Sequence, residues 1–391
     1  VWIEVALSAF AVGAKLFPSG SRVISGETDP AKGDTTRIAG SDRAAGGAEA
    51  DRASSGANRL AAGTSGFGGG PAPLSEAEVE SLGEQFRNST NPIERRLAFS
   101  RLLEGLSAEN ALAVREQIAH LHHHSPEFRE FHYAWGAVAG MEATMFGADT
   151  EEDDMSPALA GWASADPGAA LAWFKGLDME NDRDFDPLLK DREIGPDELR
   201  SHLMRGLVQG LADADPDAAA DYLQAAAEAG EKAAYHGMMD RIVQAVMRSE
   251  SPEQAAQWAE GLEAGRLRYQ AIGGIADRFA RRDLEAATKW AEELITQPEG
   301  AGAAAVAQVS THLARRDPQR AINWLSELPS GDGQNAGMRR AMREWTHRDP
   351  AAASEHLVAM PDSDAKDAAI RGLSDQLVWE DPAAAIPWAQ P

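Results

Sequence analysis

Residues 281–290 read RRDLEAATKW, residues 315–324 read RRDPQRAINW, and residues 347–356 read HRDPAAASEH. The shared pattern is an acidic or hydroxyl residue followed by Pro or Leu, which we call the anchor residue. Five copies recur at steps of 32, 34, 32 and 32 residues. These copies are Ser251-Pro252, Asp283-Leu284, Asp317-Pro318, Asp349-Pro350 and Asp381-Pro382. Three looser copies precede them, at Ala139-Gly140, Asp166-Pro167 and Asp215-Pro216. A period of this length indicates a repeat protein.

Each repeat also carries a small residue and a large ring at fixed positions. Alanine lies three residues after every anchor, at Ala143, Ala170, Ala219, Ala255, Ala287, Ala321, Ala353 and Ala385. Tryptophan lies six residues after an anchor at Trp173, Trp258, Trp290, Trp324 and Trp388, or five before one at Trp135, Trp162 and Trp345. Because a ring at a fixed internal position suits packing between helices, we interpret these residues as the structural core of the repeat.

The residues around each anchor predict two helices. Before the anchor, apolar residues at steps of three and four, such as Val306, Val309 and Leu313, form one stripe of a first helix. The Asp or Ser is expected to cap a second helix, with Pro in its first turn. A helical hairpin of this kind cannot bury its apolar face alone. The sequence therefore predicts an all-α fold, an α-solenoid of stacked antiparallel hairpins over residues 126–391, with about eight units and truncation of the last one left open.

The order of capping Asp, small Ala and aromatic ring resembles the second helix of tetratricopeptide repeats and their Sel1-like relatives. The resemblance implies a scaffold that binds proteins or peptides, and it carries over no catalytic residue. The Trp-x-x-Leu-Gly-x-x-Tyr signature of the first helix is not reproduced, and Gly206-Leu207 and Gly372-Leu373 match only part of it. A divergent helical repeat of its own kind is the alternative.

Three segments precede the repeats. Residues 1–17 form an apolar stretch, interrupted by Glu4 and Lys15, that suggests the end of a signal peptide or a membrane anchor. Residues 18–74 are rich in Gly, Ser and Ala, which predicts a disordered leader that acts as a flexible tether. Residues 75–125 are interpreted as N-terminal capping helices, with a capping box at Ser75 and further helices over 92–106 and 108–121.

Charge is unevenly distributed. The formal net charge is −25, which argues against non-specific binding to nucleic acid. Residues 75–265 carry 15 basic and 37 acidic side chains, whereas residues 266–350 carry 13 and 11. Arginines precede consecutive helix starts at Arg281, Arg282, Arg315, Arg316 and Arg348. We favour the interpretation that an Arg at the C-terminal end of each first helix satisfies carbonyls and complements the helix dipole; the functional hypothesis is a ridge that binds an acidic partner.

Two clusters imitate metal sites. His120 and His124 are four residues apart, yet no carboxylate lies at a matching spacing. Asp182 to Asp186 resembles a calcium loop, but Pro187 stands where that loop requires a flexible glycine. We therefore assign no metal, cofactor or catalytic residue. Cysteine is absent, which excludes disulfides and thiol catalysis.

The leading hypothesis is a non-enzymatic protein-protein interaction scaffold, tethered or exported at the bacterial cell envelope, with the cytoplasm as second choice. One alternative is a structural subunit of a larger membrane-associated assembly, which would leave a wide apolar face uncovered in the isolated chain. Another is a hydrolase on a helical toroid that uses paired carboxylates from the acidic half.

Overall fold

The computed structural model describes residues 72–147, 154–179, 185, 195–231, 235–297 and 302–380. Within these ranges the fold is all-α, with eighteen helices and no β-strand. Residues 1–17, most of the 18–74 leader, the loop around Asp182, and Ala385 and Trp388 lie outside the described residues. None of the described helices is long and apolar enough to cross a membrane.

Three helices open the described part. They are α1 (Glu76–Asn88), α2 (Pro92–Glu104) and α3 (Ala111–Ile118). The predicted capping box is confirmed, since the Ser75 amide donates to Glu78 Oε2 at 2.9 Å. The predicted helix start at residue 108 is wrong by three residues. Asn110 explains the difference, because its side chain accepts from the Ser107 amide at 2.8 Å and donates to the Gly105 carbonyl at 2.9 Å, which holds this segment in a turn.

Two kinds of helix alternate after α3. The first helices are α4 (Pro126–Ala139), α6 (Met155–Ala165), α8 (Pro196–Ala214), α10 (Tyr235–Ser249), α12 (Arg266–Arg282), α14 (Gly302–Arg316), α16 (Asp332–Arg348) and α18 (Asp364–Glu380). The second helices are α5 (Met141–Phe146), α7 (Pro167–Lys175), α9 (Pro216–Glu228), α11 (Pro252–Gly261), α13 (Leu284–Ile295), α15 (Pro318–Glu327) and α17 (Pro350–Ala359).

The predicted caps of the second helices are confirmed from α7 to α17. Asp317 Oδ1 accepts from the Arg320 amide at 3.0 Å, and Asp166, Asp283 and Asp349 accept in the same way from the third residue of their helices. Ser251 forms a complete capping box. Each cap satisfies an amide that would otherwise lack a partner at the helix start. This explains why the anchor residue is the first residue of each of these helices.

The packing is regular. Each first helix packs against the next first helix in chain order, and each second helix packs against its own first helix and the one that follows. One hydrophobic core runs without a break from Met155 to Leu377, and a smaller one joins α1 to α3 with α4. The repeat alanines in the described part are fully buried where helices meet, as Ala287 and Ala321 illustrate.

Glycines set how closely the first helices approach. A Cβ on Gly210 of α8 would collide with the carbonyl oxygen of Ala160 in α6, and a Cβ on Gly372 of α18 would collide with that of Arg339 in α16. Backbones in such close contact tolerate only hydrogen at these positions. A Cβ on Gly206 would collide with the Ser156 carbonyl oxygen in the same way. Gly206 and Gly372, the glycines of the two partial signature matches, therefore have a packing role.

Candidate binding face on the first helices

Three cavities lie along the surface formed by the first helices, which we call the first-helix face. The first cavity, of about 300 Å³, is lined by α4, α6, α8, α10 and the two histidines before α4. The second, of about 460 Å³, is lined by α10, α12, α14 and α16. The third, of about 760 Å³, is lined by α14, α16 and α18. Consecutive cavities share a helix, so they follow one another along the row.

The lining of these cavities is basic although the chain is acidic. Its arginines are Arg129, Arg205 and Arg241 in the first cavity, Arg266, Arg278 and Arg340 in the second, and Arg315, Arg339 and Arg343 in the third. The described lining contains four carboxylates, which are Asp240, Asp277, Glu344 and Asp375. The described lining therefore carries nine arginines against four carboxylates, on a chain whose net charge is −25.

In the second and third cavities, several arginines pair with carboxylates on a neighbouring first helix. Arg278 of α12 lies 2.8 Å from Asp240 of α10. Arg339 of α16 lies 2.6 Å from Asp375 of α18. These pairs are partly exposed, so each contributes at most about 1 kcal/mol to stability, and their main effect is to fix where the positive groups stand.

Asp277 and Arg340 show how the second cavity holds its charges. The hydrogen bond from His312 lowers the pKa of Asp277, and Arg281 adds to this effect. Burial lowers the pKa of Arg340, with Arg343 as the next cause. The Arg340 guanidinium donates to Gln308 Oε1 at 3.2 Å. Because the Gln308 amide is uncharged, this contact orients the guanidinium without neutralising its charge.

The structure places the five arginines of the predicted ridge in different surroundings. Arg281 binds Asp277 at 2.7 Å, and Arg315 binds Glu344 at 3.0 Å and lines the third cavity. Arg316 is exposed. Arg282 and Arg348 donate to backbone carbonyls, at 3.4 Å to Met247 and at 2.6 Å to Arg315. These carbonyls belong to the C-terminal end of the preceding first helix.

The arginines of the first and second cavities were missed from the sequence. Arg205, Arg241 and Arg278 carry no repeat signature and lie far apart in the chain. The signal that could have found them is helical: on a first helix, charged residues opposite the apolar stripe share one face. Projecting each first helix in this way would have placed each arginine on the polar face of its own helix, without showing which arginines share a cavity.

The described tryptophans at the repeat positions lie between helices, and several of them also make a polar contact. Trp135, Trp162, Trp290, Trp324 and Trp345 are buried, whereas Trp173 and Trp258 are half-buried. Along the second helices the indole N–H donates to a carboxylate of the preceding second helix. Trp290 donates to Glu260 at 2.7 Å, and Trp324 donates to Glu292 at 2.8 Å. This contact repeats at Trp258, which donates to Asp217.

A buried polar cluster lies between α3, α4 and the start of α6. Asp154 Oδ2 is 3.0 Å from the Arg115 guanidinium and 3.5 Å from His132 Nε2. Burial, with the positive charge of Arg115 as the second cause, lowers the pKa of His132 to about 3. Since His132 and Asp154 are fully enclosed, this cluster is closed to a bound ligand and belongs to the core.

The histidines before α4 stack on one another. The His122 and His123 ring centroids are 4.2 Å apart, and those of His123 and His124 are 4.0 Å apart. Within the described ranges, no group of three or more His, Asp or Glu residues is arranged to hold a metal ion. In this structure His123 and His124 instead contribute to the first cavity.

We compared the chain with protein-family models, with curated proteins and with solved structures, and none of them matches it. The resemblance to tetratricopeptide repeats therefore rests on the residues of this chain alone.

Proposed function

We propose that this chain is a non-enzymatic scaffold, an α-solenoid similar to tetratricopeptide repeats, whose first-helix face binds an acidic segment of another protein. The regular packing supports the solenoid, since each pair contacts the pairs before and after it through its first helix. The second helices lie against this row and leave the cavities of the first helices open at the surface.

One observation carries the proposed ligand: arginine dominates the lining of the three cavities in a strongly acidic chain. An acidic segment lying across several first helices would meet guanidinium groups from one helix after another. Complementary charge of this kind raises the association rate and suppresses binding of basic segments. The remaining acidic surface keeps other anionic molecules away from the rest of the chain.

The proposed location is the bacterial cell envelope, with residues 1–17 as signal or anchor and residues 18–74 as tether. The support for it is the apolar composition of residues 1–17 and the Gly, Ser and Ala content of the leader. A basic face on a tethered scaffold would remain reachable by a partner away from the membrane surface.

A second candidate function is a structural subunit of a larger assembly. Val358 on α17, and Val378 and Trp379 on α18, are exposed large apolar side chains near one end of the described helices. Apolar residues exposed together often mark an interaction site. Light scattering separates the candidates, because an assembly subunit would form a defined oligomer that Trp379→Ser disrupts, whereas the scaffold alone stays monomeric.

The leading proposal is tested with the full chain and a fluorescein-labelled peptide of alternating glutamate and alanine, followed by fluorescence anisotropy. We expect binding that weakens when NaCl rises from about 50 mM to about 300 mM, because salt screens exposed charges. A lysine-alanine peptide should not bind. The double variant Arg278→Gln, Arg340→Gln should bind the glutamate peptide about tenfold more weakly, since it removes two charge-assisted donors.

The matched control is Arg320→Gln. Arg320 lies on the second helix α15 and pairs with Glu285 at 2.7 Å, so its loss removes one arginine without changing the first-helix face. Equal binding by the double variant and by this control, with the helical circular dichroism of both unchanged, would contradict the proposal.

A further inference from the structure

The first cavity differs from the other two in its charges. Arg129 of α4, Arg205 of α8 and Arg241 of α10 line it together with Ser156 and Gln209, and no described lining residue is acidic. Its volume of about 300 Å³ lies at the small end of ligand pockets. The space therefore suits a small anionic group better than a folded domain.

Among the described residues, no carboxylate lines the first cavity to balance its arginines. Arg278 and Arg339 in the neighbouring cavities pair with carboxylates on adjacent helices. By contrast, the guanidinium groups of Arg129 and Arg241 form no hydrogen bond or ion pair with any residue of the described part. Grouping several such cations without a counter-ion is unfavourable unless solvent or a ligand compensates them.

Arg205 is oriented by a neighbouring histidine. Its Nη2 lies 2.6 Å from His202 Nδ1, and because a guanidinium only donates, the ring nitrogen accepts. His202 is therefore a positioning residue in the wall of the cavity. Gln209 adds an amide, which donates without adding charge, whereas the Ser156 hydroxyl donates to the His202 carbonyl at 3.4 Å.

We propose that the first cavity binds a phosphate group, either inorganic phosphate or the phosphate of a phosphorylated protein side chain. A phosphate group carries a charge of about −1.5 to −2 and presents three or more acceptor oxygens in different directions. These oxygens match guanidinium groups that come from three separate helices, since arginine binds phosphate through paired N–H donors. A carboxylate offers two oxygens in one plane and a single charge.

This site does not depend on the binding of an acidic segment in the second cavity. The two proposals also fail separately: Arg278→Gln with Arg340→Gln tests the segment, whereas variants of Arg205 and Arg241 test the phosphate. A phosphorylated side chain within an acidic segment would use both sites at once.

The first experiment is isothermal titration calorimetry of the full chain with inorganic phosphate against a sodium chloride blank of equal ionic strength. We expect saturable phosphate binding by the wild-type chain and by the control Arg320→Gln. Arg205→Gln and Arg241→Gln should each bind about tenfold more weakly, as expected for the loss of a charge-assisted donor. Thermal melting checks that each variant is folded, and Arg129→Gln replaces any variant that is not.

A second titration distinguishes the sources of the phosphate. A phosphoserine peptide that binds more tightly than inorganic phosphate would identify a phosphorylated protein, and weaker binding by the peptide would identify the free anion. The same peptide with glutamate in place of phosphoserine should bind more weakly. The proposal is overturned if phosphate gives no heat beyond the chloride blank, if the cavity variants bind like the control, or if a phosphoserine peptide that binds more tightly than inorganic phosphate is matched by the glutamate peptide.

Discussion

Replacing His132 with Asn should remove a pH dependence of stability that this one side chain creates. His132 is fully enclosed by Phe128, Phe131 and Trp135, with the Arg115 and Asp154 pair on its polar side. Burial, followed by the charge of Arg115, lowers its pKa to about 3, so it is neutral in the folded chain at every ordinary pH. In the unfolded chain its pKa is about 6.5, so acid favours unfolding.

The magnitude follows from these two pKa values. A group with a lowered folded pKa contributes stability that is present above its unfolded pKa and is lost as pH falls toward its folded pKa. Between pH 6.5 and pH 3 the loss is about 1.4 kcal/mol for each pH unit. From pH 7.5 to pH 4.5 the wild-type chain should therefore lose about 2.6 kcal/mol from His132. Asn cannot be protonated in this range and loses none.

The assay is urea unfolding at a series of pH values between 7.5 and 4.5, followed by circular dichroism. At each pH, the unfolding free energy of His132→Asn is subtracted from that of wild type. The contributions of the other titrating groups cancel in this difference. His236→Asn is the matched control, since His236 is exposed. This control separates the effect of the enclosed site from the effect of replacing any histidine.

The opposite slope would refute this reasoning. If wild type gains stability over His132→Asn as pH falls, then His132 is protonated in the fold and pairs with Asp154, which lies 3.5 Å away. That result would mean that the attraction of the Asp154 carboxylate exceeds the combined effect of burial and Arg115.

Three further predictions concern the packing and the charges. Gly210→Ala should destabilise the chain by about 1–3 kcal/mol in urea unfolding, because its Cβ would meet the α6 backbone, whereas Gly237→Ala has open space and should be neutral or slightly stabilising. Trp290→Phe should cost about 1 kcal/mol or more through the lost hydrogen bond to Glu260, and a cost unchanged in a Glu260→Met background, which has no acceptor oxygen there, would contradict that assignment. The third variant replaces four arginines of the predicted ridge: Arg281→Gln, Arg282→Gln, Arg315→Gln, Arg316→Gln. It should bind the glutamate peptide more weakly than wild type, and the difference should be larger at low salt than at high salt. Unchanged anisotropy at both salt concentrations would mean that these arginines have a structural role only.

The second helices could be predicted from the sequence because their starts depend on local chemistry. An Asp followed by Pro, as in Asp317-Pro318, satisfies a helix end with its own side chain, and no other part of the chain is needed. The start of α3 was misplaced for a related reason. The Asn110 side chain also donates to the Leu74 carbonyl at 3.1 Å, and this contact between residues distant in the chain favours a turn where the local pattern permits a helix.

The candidate site was beyond sequence reasoning because each cavity is assembled from several helices. Arg129, Arg205 and Arg241 meet only after α4, α8 and α10 have packed in order. The close approach at Gly210 depends in the same way on the α6 backbone beside it. Period and capping thus predict the elements, whereas the lateral spacing of the helices decides which side chains share a cavity.

The most direct test of the account is to map where the acidic peptide binds. A glutamate-alanine peptide carrying a photoreactive benzoyl group is cross-linked to the full chain, and the modified residues are identified by mass spectrometry. The account predicts cross-links on first helices around the second cavity, close to Gln270 on α12 and Gln308 on α14. Cross-links confined to the second helices α11, α13 and α15 would contradict it.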